Sequence, residues 1–123
     1  MKKVLIIDDN DAVRSTMARI LDLAGYATVT ARDGNEGLAR MRSEQPDLII
    51  TDIIMPEKEG IETIRLILAE RPDAKIMAVS GGGRHGTMDF LSAARKLGAT
   101  EVLHKPFEPD DLVDRVARCL KAA

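Results

Sequence analysis

The sequence KVLIIDDN, residues 3–10, places two aspartates directly after four consecutive aliphatic residues. A run that is apolar at every position is typical of a strand covered by helices on both faces, because such a strand has no solvent-facing side. The two aspartates either belong to the exposed first turn of a following helix or form part of a site. The rest of the chain decides between these interpretations.

Further apolar runs recur along the chain, separated by stretches with helical periodicity. The five runs are KVLIID at 3–8, ATVTA at 27–31, DLIITD at 47–52, AKIMAVS at 74–80 and TEVLHK at 100–105. The first intervening stretch has Val13, Met17 and Leu21 on one helical face, and Gly25 is expected to end that helix. Strands that alternate with helices favour parallel pairing, so the pattern predicts an α/β fold of the (βα)5 type.

Composition and charge are those of a folded domain that does not bind nucleic acid directly. The 123 residues are 45% hydrophobic and 31% charged, which is sufficient for one core, so we expect a single domain over residues 1–123. The formal net charge of −2 lacks the basic surplus that phosphate-backbone binding requires. The apolar run in MKKVLII is too short for a signal peptide or a membrane span. The single cysteine, Cys119, fits a reducing compartment, and we expect a buried thiol in a cytoplasmic protein.

Polar side chains end four of the five apolar runs. They are Asp8, Asp9, Asp52, Ser80 and Lys105. The carboxyl ends of parallel strands share one edge of a sheet, and ligands bind there, so we expect these groups to meet. Three carboxylates held together repel one another unless they protonate, spread apart or share a cation. An oxygen-only ligand set favours Mg²⁺, which commonly also binds a phosphate.

The same residues favour phosphoryl chemistry. A carboxylate can act as a nucleophile and form an aspartyl phosphate. Ser80 could then donate a hydrogen bond to one phosphoryl oxygen, while Lys105 pairs with another. Two other sites are not favoured: GGGRHG at 81–86 lacks the lysine and hydroxyl spacing of a P-loop, and His85 and His104 lack metal-ligand partners at useful spacing.

Four motifs, in this order along the chain, resemble the receiver domain of bacterial two-component response regulators, and in particular the receivers of the chemotaxis-regulator type. The motifs are DD at 8–9, DIIMPEKEG at 52–60, SG at 80–81 and KPF at 105–107. The resemblance extends from Lys3 to about Leu120. It implies a flavodoxin-like, doubly wound fold whose five parallel strands lie in the order 2-1-3-4-5.

The resemblance also implies a role for each site residue. Asp52 would accept a phosphoryl group from a sensor histidine kinase, a phosphotransfer protein or a small phosphodonor. Asp9 would bind Mg²⁺ directly and Asp8 through water, while Asp52 and the backbone carbonyl of Ile54 would complete the protein ligands. Ser80 would be the switch hydroxyl that moves toward the phosphoryl group, and Lys105 would be the charge partner of that group. A cis peptide bond would precede Pro106.

The implied function is a phosphorylation-controlled signalling switch that changes partner binding. Such a receiver assists its own phosphorylation and dephosphorylation but does not turn over an external substrate. Its output would be a downstream protein or a domain outside this chain, and a phosphorylation-dependent homodimer stays open. Two alternatives are a small phosphatase or phosphotransferase that turns over through an aspartyl phosphate, and a phosphate-independent interaction module of receiver shape.

Three positions depart from or qualify the family pattern. Val102 occupies the place, three residues before Lys105, where the family often has an aromatic side chain that moves with the switch hydroxyl. Ile54 and Gly82 occupy two positions that tune dephosphorylation, and neither side chain can orient an attacking water. We therefore expect a phosphorylated state whose decay these two positions do not accelerate.

Overall fold

The computed structural model describes residues 1–53, 59–81 and 95–121. The strands are β1 (Lys3–Ile7), β2 (Ala27–Ala31), β3 (Leu48–Asp52), β4 (Ile76–Gly81) and β5 (Glu101–Lys105). The helices are α1 (Asp11–Leu23), α2 (Gly34–Glu44), α3 (Glu59–Glu70) and α4 (Pro109–Lys121), and residues 95–97 are also helical. The predictions that concern Ile54, Gly82 and His85 lie outside the described residues, as does most of the triple-glycine segment.

The five strands form one parallel sheet in the order β2-β1-β3-β4-β5. This confirms the fold class and strand order that the resemblance implied. Strand order reverses at β1, because the chain first adds β2 on one side and then β3 on the other. In open α/β sheets, ligands bind beyond the carboxyl ends of the strands at the point where strand order reverses.

The sheet carries a core on each of its faces. Along β1, Leu5 and Ile7 belong to one buried cluster, and Val4 and Ile6 to the other. We call these the first and second core clusters. The first lies on the side of α2 and α3, and the second on the side of α1 and α4. Side chains alternate between the two faces of a strand, so a strand covered on both faces is apolar at every position.

Helix limits follow from local capping. The Val13 N–H donates to Asn10 Oδ1 over 3.0 Å, so Asn10 satisfies a free backbone donor at the start of α1. Gly25, with a φ of 99°, follows the end of the same helix as predicted. The Glu36 N–H donates to Asp33 Oδ1 over 2.8 Å at the start of α2. These caps fix where the chain leaves β1 and β2.

Helix α4 packs its apolar side on the second core cluster through Leu112, Val116 and Cys119. Cys119 is buried, as predicted. Burial is the main reason that the pKa of its thiol rises to about 11, and the nearby Glu101 carboxylate adds to the rise. The thiol is therefore a packing group at neutral pH, with little reactive thiolate.

Candidate functional site

Three carboxylates meet beyond the ends of β1 and β3. Oxygens of Asp8, Asp9 and Asp52 lie within 4.8 Å of one another. Asp8 is fully buried and Asp52 nearly so, whereas Asp9 is exposed. Opposite ligands of a Mg²⁺ ion stand about 4.2 Å apart, since each Mg–O bond is about 2.1 Å long. The cluster therefore has the donor type and the spacing that Mg²⁺ requires.

Local backbone geometry explains why Asp8 is buried and Asp9 is not. The Asp8 N–H continues the sheet ladder by donating to the Ala31 carbonyl over 3.1 Å. Asp8 Oδ1 accepts the Asn10 N–H over 2.9 Å, and its carbonyl accepts Arg14 Nη1 over 2.8 Å. Asp8 is thus fixed at the end of β1 by groups from both sides of the turn, while Asp9 extends from that turn toward solvent.

Lys105 neutralises the two buried acids. Its Nζ donates to Asp8 Oδ2 over 2.9 Å and to Asp52 Oδ2 over 3.1 Å. Burial by itself lowers the pKa of this ammonium, but the hydrogen bonds and negative charges of Asp8 and Asp52 outweigh burial, so the pKa is raised above its ordinary value. Lys105 is therefore charged at neutral pH. The Lys105–Pro106 peptide bond is cis, as expected from the resemblance.

Ser80 lies near the end of β4, beside β3. The register pairs Val79 with Asp52, so Ser80 stands one residue beyond the neighbour of that carboxylate. Ser80 is fully buried, and its hydroxyl is a buried polar side-chain group with no hydrogen bond among the described residues. A buried hydroxyl without a partner costs about 1–3 kcal/mol. A ligand bound at the site could therefore supply the hydrogen-bond partner that the Ser80 hydroxyl lacks.

Gly60 determines how closely α3 approaches the site. A Cβ atom at this position would lie 2.7 Å from the carbonyl carbon of Ile53, and it would also overlap Ile53 Cα and the Asp52 carbonyl oxygen. All three obstacles are backbone atoms, which cannot rotate away. Only glycine lets the first turn of α3 pack on the end of β3, and this contact fixes the backbone that carries Asp52.

The structure also contains a charged cluster that the sequence analysis missed. Glu101, at the start of β5, is largely buried and lies 3.1 Å from Arg115, 3.5 Å from Arg118 and 3.6 Å from Arg95. Arg115 Nη1 also donates to the Val102 carbonyl over 2.9 Å. This cluster joins β5 to α4 on the face opposite the first core cluster. The available signal for it was a glutamate near the start of the predicted strand TEVLHK.

The structure thus brings together Asp8, Asp9, Asp52 and Lys105, and it places Ser80 at the same edge of the sheet. Ile54 lies outside the described residues. A parallel five-stranded sheet with acids at the ends of β1 and β3 and a lysine at the end of β5 is the arrangement expected of a signalling receiver domain. The motifs quoted above resemble the same class.

Comparison with known proteins identifies the family. Residues 4–117 match the model of the response regulator receiver domain, so the chain belongs to that family. The chain is therefore a homologue of two-component signalling proteins, a relationship consistent with a phosphorylation-controlled signalling switch.

Several curated relatives share about a third of their residues with this chain. The chemotaxis protein CheY of Thermotoga maritima is 34% identical over 121 residues, covering 98% of each chain. The response regulator receiver protein CpdR of Brucella abortus is 34% identical over 123 residues, covering all of both chains. The nitrogen assimilation regulatory protein NtrX of Azorhizobium caulinodans is 35% identical, but this chain spans only 26% of its length.

Solved structures show the same fold. The receiver domain of NtrX from Brucella abortus superposes with a TM-score of 0.90 at 29% identity, covering 98% of this chain and 99% of that one. A CheY-like receiver domain protein from Methanospirillum hungatei gives a TM-score of 0.87 at 30% identity. Within the described residues, no helix combines the length and apolar character needed to cross a bilayer.

Proposed function

We propose that Asp52 is the phosphoacceptor of a Mg²⁺-dependent receiver, and that residues 1–123 form a single receiver domain. The observation that supports this most strongly is the cluster of three carboxylates beside one buried lysine at the sheet edge. A bound cation and the Lys105 ammonium together would place enough positive charge beside these acids to bind a ligand that is itself negatively charged. A phosphoryl group is such a ligand.

Asp8, Asp9 and Asp52 are the residues that would hold Mg²⁺, with the Ile54 carbonyl as the fourth protein ligand expected from the family. The ion, when bound, would offset the negative charge of the acids and of the incoming phosphoryl oxygens. Asp9 is exposed and accessible to an ion, whereas Asp8 is buried against Lys105. This difference agrees with a direct contact by Asp9 and a contact through water by Asp8.

The proposed reaction transfers one phosphoryl group. A carboxylate oxygen of Asp52 attacks the phosphorus of a phosphohistidine or a small acyl phosphate, forming a P–O bond as the bond to the leaving group breaks. The leaving imidazole takes up a proton, or the acyl group leaves as a carboxylate. Lys105 already lies 3.1 Å from Asp52 Oδ2 and would move to a phosphoryl oxygen as that charge appears.

Reversal of the modification belongs to the same site. Water attack on the aspartyl phosphate would restore Asp52 and release inorganic phosphate, with the same acids and lysine in place. We propose that the receiver assists both reactions on itself and acts on no external substrate. Its donor would be a sensor histidine kinase or a phosphotransfer protein, and a downstream protein or an output domain would read its state in the cytoplasm.

The proposal is tested by intact-mass measurement after incubation with Mg²⁺ and a small acyl phosphate. Wild type should gain one phosphoryl adduct that requires Mg²⁺, and Asp52→Ala should gain none. Asp73→Ala is the matched control, because Asp73 is an exposed aspartate remote from the cluster, and it should be modified like wild type. Absence of an adduct with both acyl phosphate and a phosphorylated histidine donor would favour the phosphate-independent interaction module.

A further inference from the structure

Ser80 and His104 are neighbours on adjacent strands. The β4–β5 register pairs Ser80 with His104, and Ala78 with Val102. Residues paired in a parallel sheet extend from the same face. Ala78 belongs to the first core cluster and Val102 packs against it, so Ser80 and His104, each two residues further on, extend from that same face near the site.

The two residues differ in exposure and complement one another chemically. Ser80 is fully buried with an unpartnered hydroxyl, whereas His104 is exposed. A serine hydroxyl has one donor and two acceptor positions, and an imidazole always has at least one N–H donor. Neighbouring parallel strands lie about 4.8 Å apart, a distance that the two side chains can bridge by a hydrogen bond. The hydroxyl can therefore contact a ligand at the site and His104 together.

Val102 cannot transmit a change at Ser80 in this way. Its side chain has no polar group and packs against the first core cluster. His104 is the next residue of β5 on that face, and among the described residues of β5 it is the polar one that stands in register with Ser80. His104 therefore offers Ser80 a hydrogen-bonding neighbour on β5, which Val102, at the position where the family often has an aromatic, does not.

We propose that His104 is a positioning residue that reports phosphorylation at the surface. In the phosphorylated state the Ser80 O–H donates to a phosphoryl oxygen, and the Ser80 oxygen accepts the N–H of His104. The imidazole then takes a fixed orientation at the exposed edge of β5, where a partner protein can distinguish the two states. This inference rests on the proposed function of Asp52.

The test uses the full chain labelled with ¹⁵N-histidine and, separately, with uniform ¹⁵N. Mg²⁺ and beryllofluoride serve as the phosphoryl mimic, and His104→Gln assigns the imidazole signals. We expect beryllofluoride to shift the His104 ring nitrogens in wild type and to leave them unshifted in Ser80→Ala. Ser43→Ala removes an exposed hydroxyl on α2, and the His104 response should persist in this control.

The backbone amide of Ile53 reports occupancy of the site separately, because it follows Asp52 directly. An Ile53 shift without a His104 shift would overturn the inference and leave the proposed function intact, and so would a His104 shift that persists in Ser80→Ala. If Ile53 does not shift and no phosphoryl adduct forms by mass, the proposed function fails and the inference fails with it.

Discussion

Replacing Lys105 by methionine tests the electrostatic reasoning about the site most directly. The substitution keeps an unbranched side chain of similar length but removes the ammonium that contacts Asp8 and Asp52 at 2.9 and 3.1 Å. At an effective dielectric constant of about 20, each contact at about 3 Å represents about 5 kcal/mol of gross attraction. The desolvation cost of a buried ammonium offsets much of this sum.

Removing one partner of a buried ion pair typically costs about 3–5 kcal/mol, because the remaining charge is buried without compensation. We therefore expect Lys105→Met to lower the free energy of unfolding by about 3 kcal/mol in EDTA. Lys2→Met is the matched control, since Lys2 is exposed and forms no ion pair with another described residue. That control should change the free energy of unfolding by less than about 0.5 kcal/mol.

The effect of Mg²⁺ separates this explanation from simple loss of packing. In wild type an ion must compete with the Lys105 ammonium for the oxygens of Asp8 and Asp52, and in the variant it need not. If Lys105→Met binds the ion about tenfold more tightly than wild type does, saturating Mg²⁺ narrows the difference between their free energies of unfolding by about 1.4 kcal/mol. Urea unfolding in EDTA and in Mg²⁺ measures both quantities. The reasoning would be refuted if wild type and Lys105→Met had equal free energies of unfolding in EDTA. It would also be refuted if the difference between them were the same in EDTA and in Mg²⁺.

Because the pKa of Lys105 is raised, the stability that Lys105 contributes should fall as the pH rises. A group whose folded pKa lies above its ordinary value of 10.5 contributes stability that is fully present below that value. This contribution is lost as the pH rises through the folded pKa. Wild type should therefore lose its stability advantage over Lys105→Met above about pH 10.5, and the difference between the two unfolding curves isolates Lys105 from other groups that titrate there.

Three other predictions follow from described contacts. Gly60→Ala should lower the free energy of unfolding by about 1–3 kcal/mol, because the new methyl group meets backbone, and it should slow phosphorylation of Asp52 in the mass assay. Cys119, with a pKa of about 11 against the usual 9.0, should react with a thiol reagent at pH 8 roughly a hundredfold more slowly in the folded protein than in urea. Glu101→Gln should cost about 1–2 kcal/mol in urea unfolding, because partly exposed guanidinium groups lose a largely buried carboxylate.

Each of these has a matched comparison. Gly37→Ala adds a methyl group whose nearest neighbours are atoms of the Ile7 side chain rather than backbone, so it should leave the phosphorylation rate unchanged. Equal rates for wild type and Gly60→Ala would contradict the role given to the contact between α3 and β3. Rapid labelling of the folded protein would show that the Cys119 thiol is accessible. Glu108→Gln, at an exposed glutamate, should leave stability unchanged, and an equal effect at Glu101 and Glu108 would show that the arginine cluster contributes nothing specific.

Local pattern was sufficient to predict the sheet and the edge at which the site lies. Strand β1 is apolar at each position from Val4 to Ile7 because both of its faces are covered, and that property is visible in VLII without any tertiary information. The parallel arrangement then places Asp8, Asp52 and Lys105 at one edge. Even the weak run ATVTA was correctly predicted as a strand, although its first four positions are only partly buried.

Pairing between distant side chains could not be read from the sequence. The resemblance assigned Lys105 to a phosphoryl oxygen, and the structure shows it on Asp8 and Asp52, because two buried carboxylates attract the nearest cation. Glu101 contacts Arg115 and Arg118, which lie 14 and 17 residues further along the chain, because α4 packs on β5. Such contacts depend on how elements dock, which hydrophobic periodicity does not encode.

The contact between Asp8 and Lys105 also bears on when the site can come into being during synthesis. It joins the first strand to the last across 97 residues of chain. Closure of so long a loop can occur only after β5 has left the ribosome and added to the sheet, because Lys105 is the final residue of that strand. A nascent chain that already exposes its aspartates therefore lacks the ammonium that neutralises them. The complete charge arrangement is therefore a property of the folded domain, present only once its fifth strand has joined the sheet.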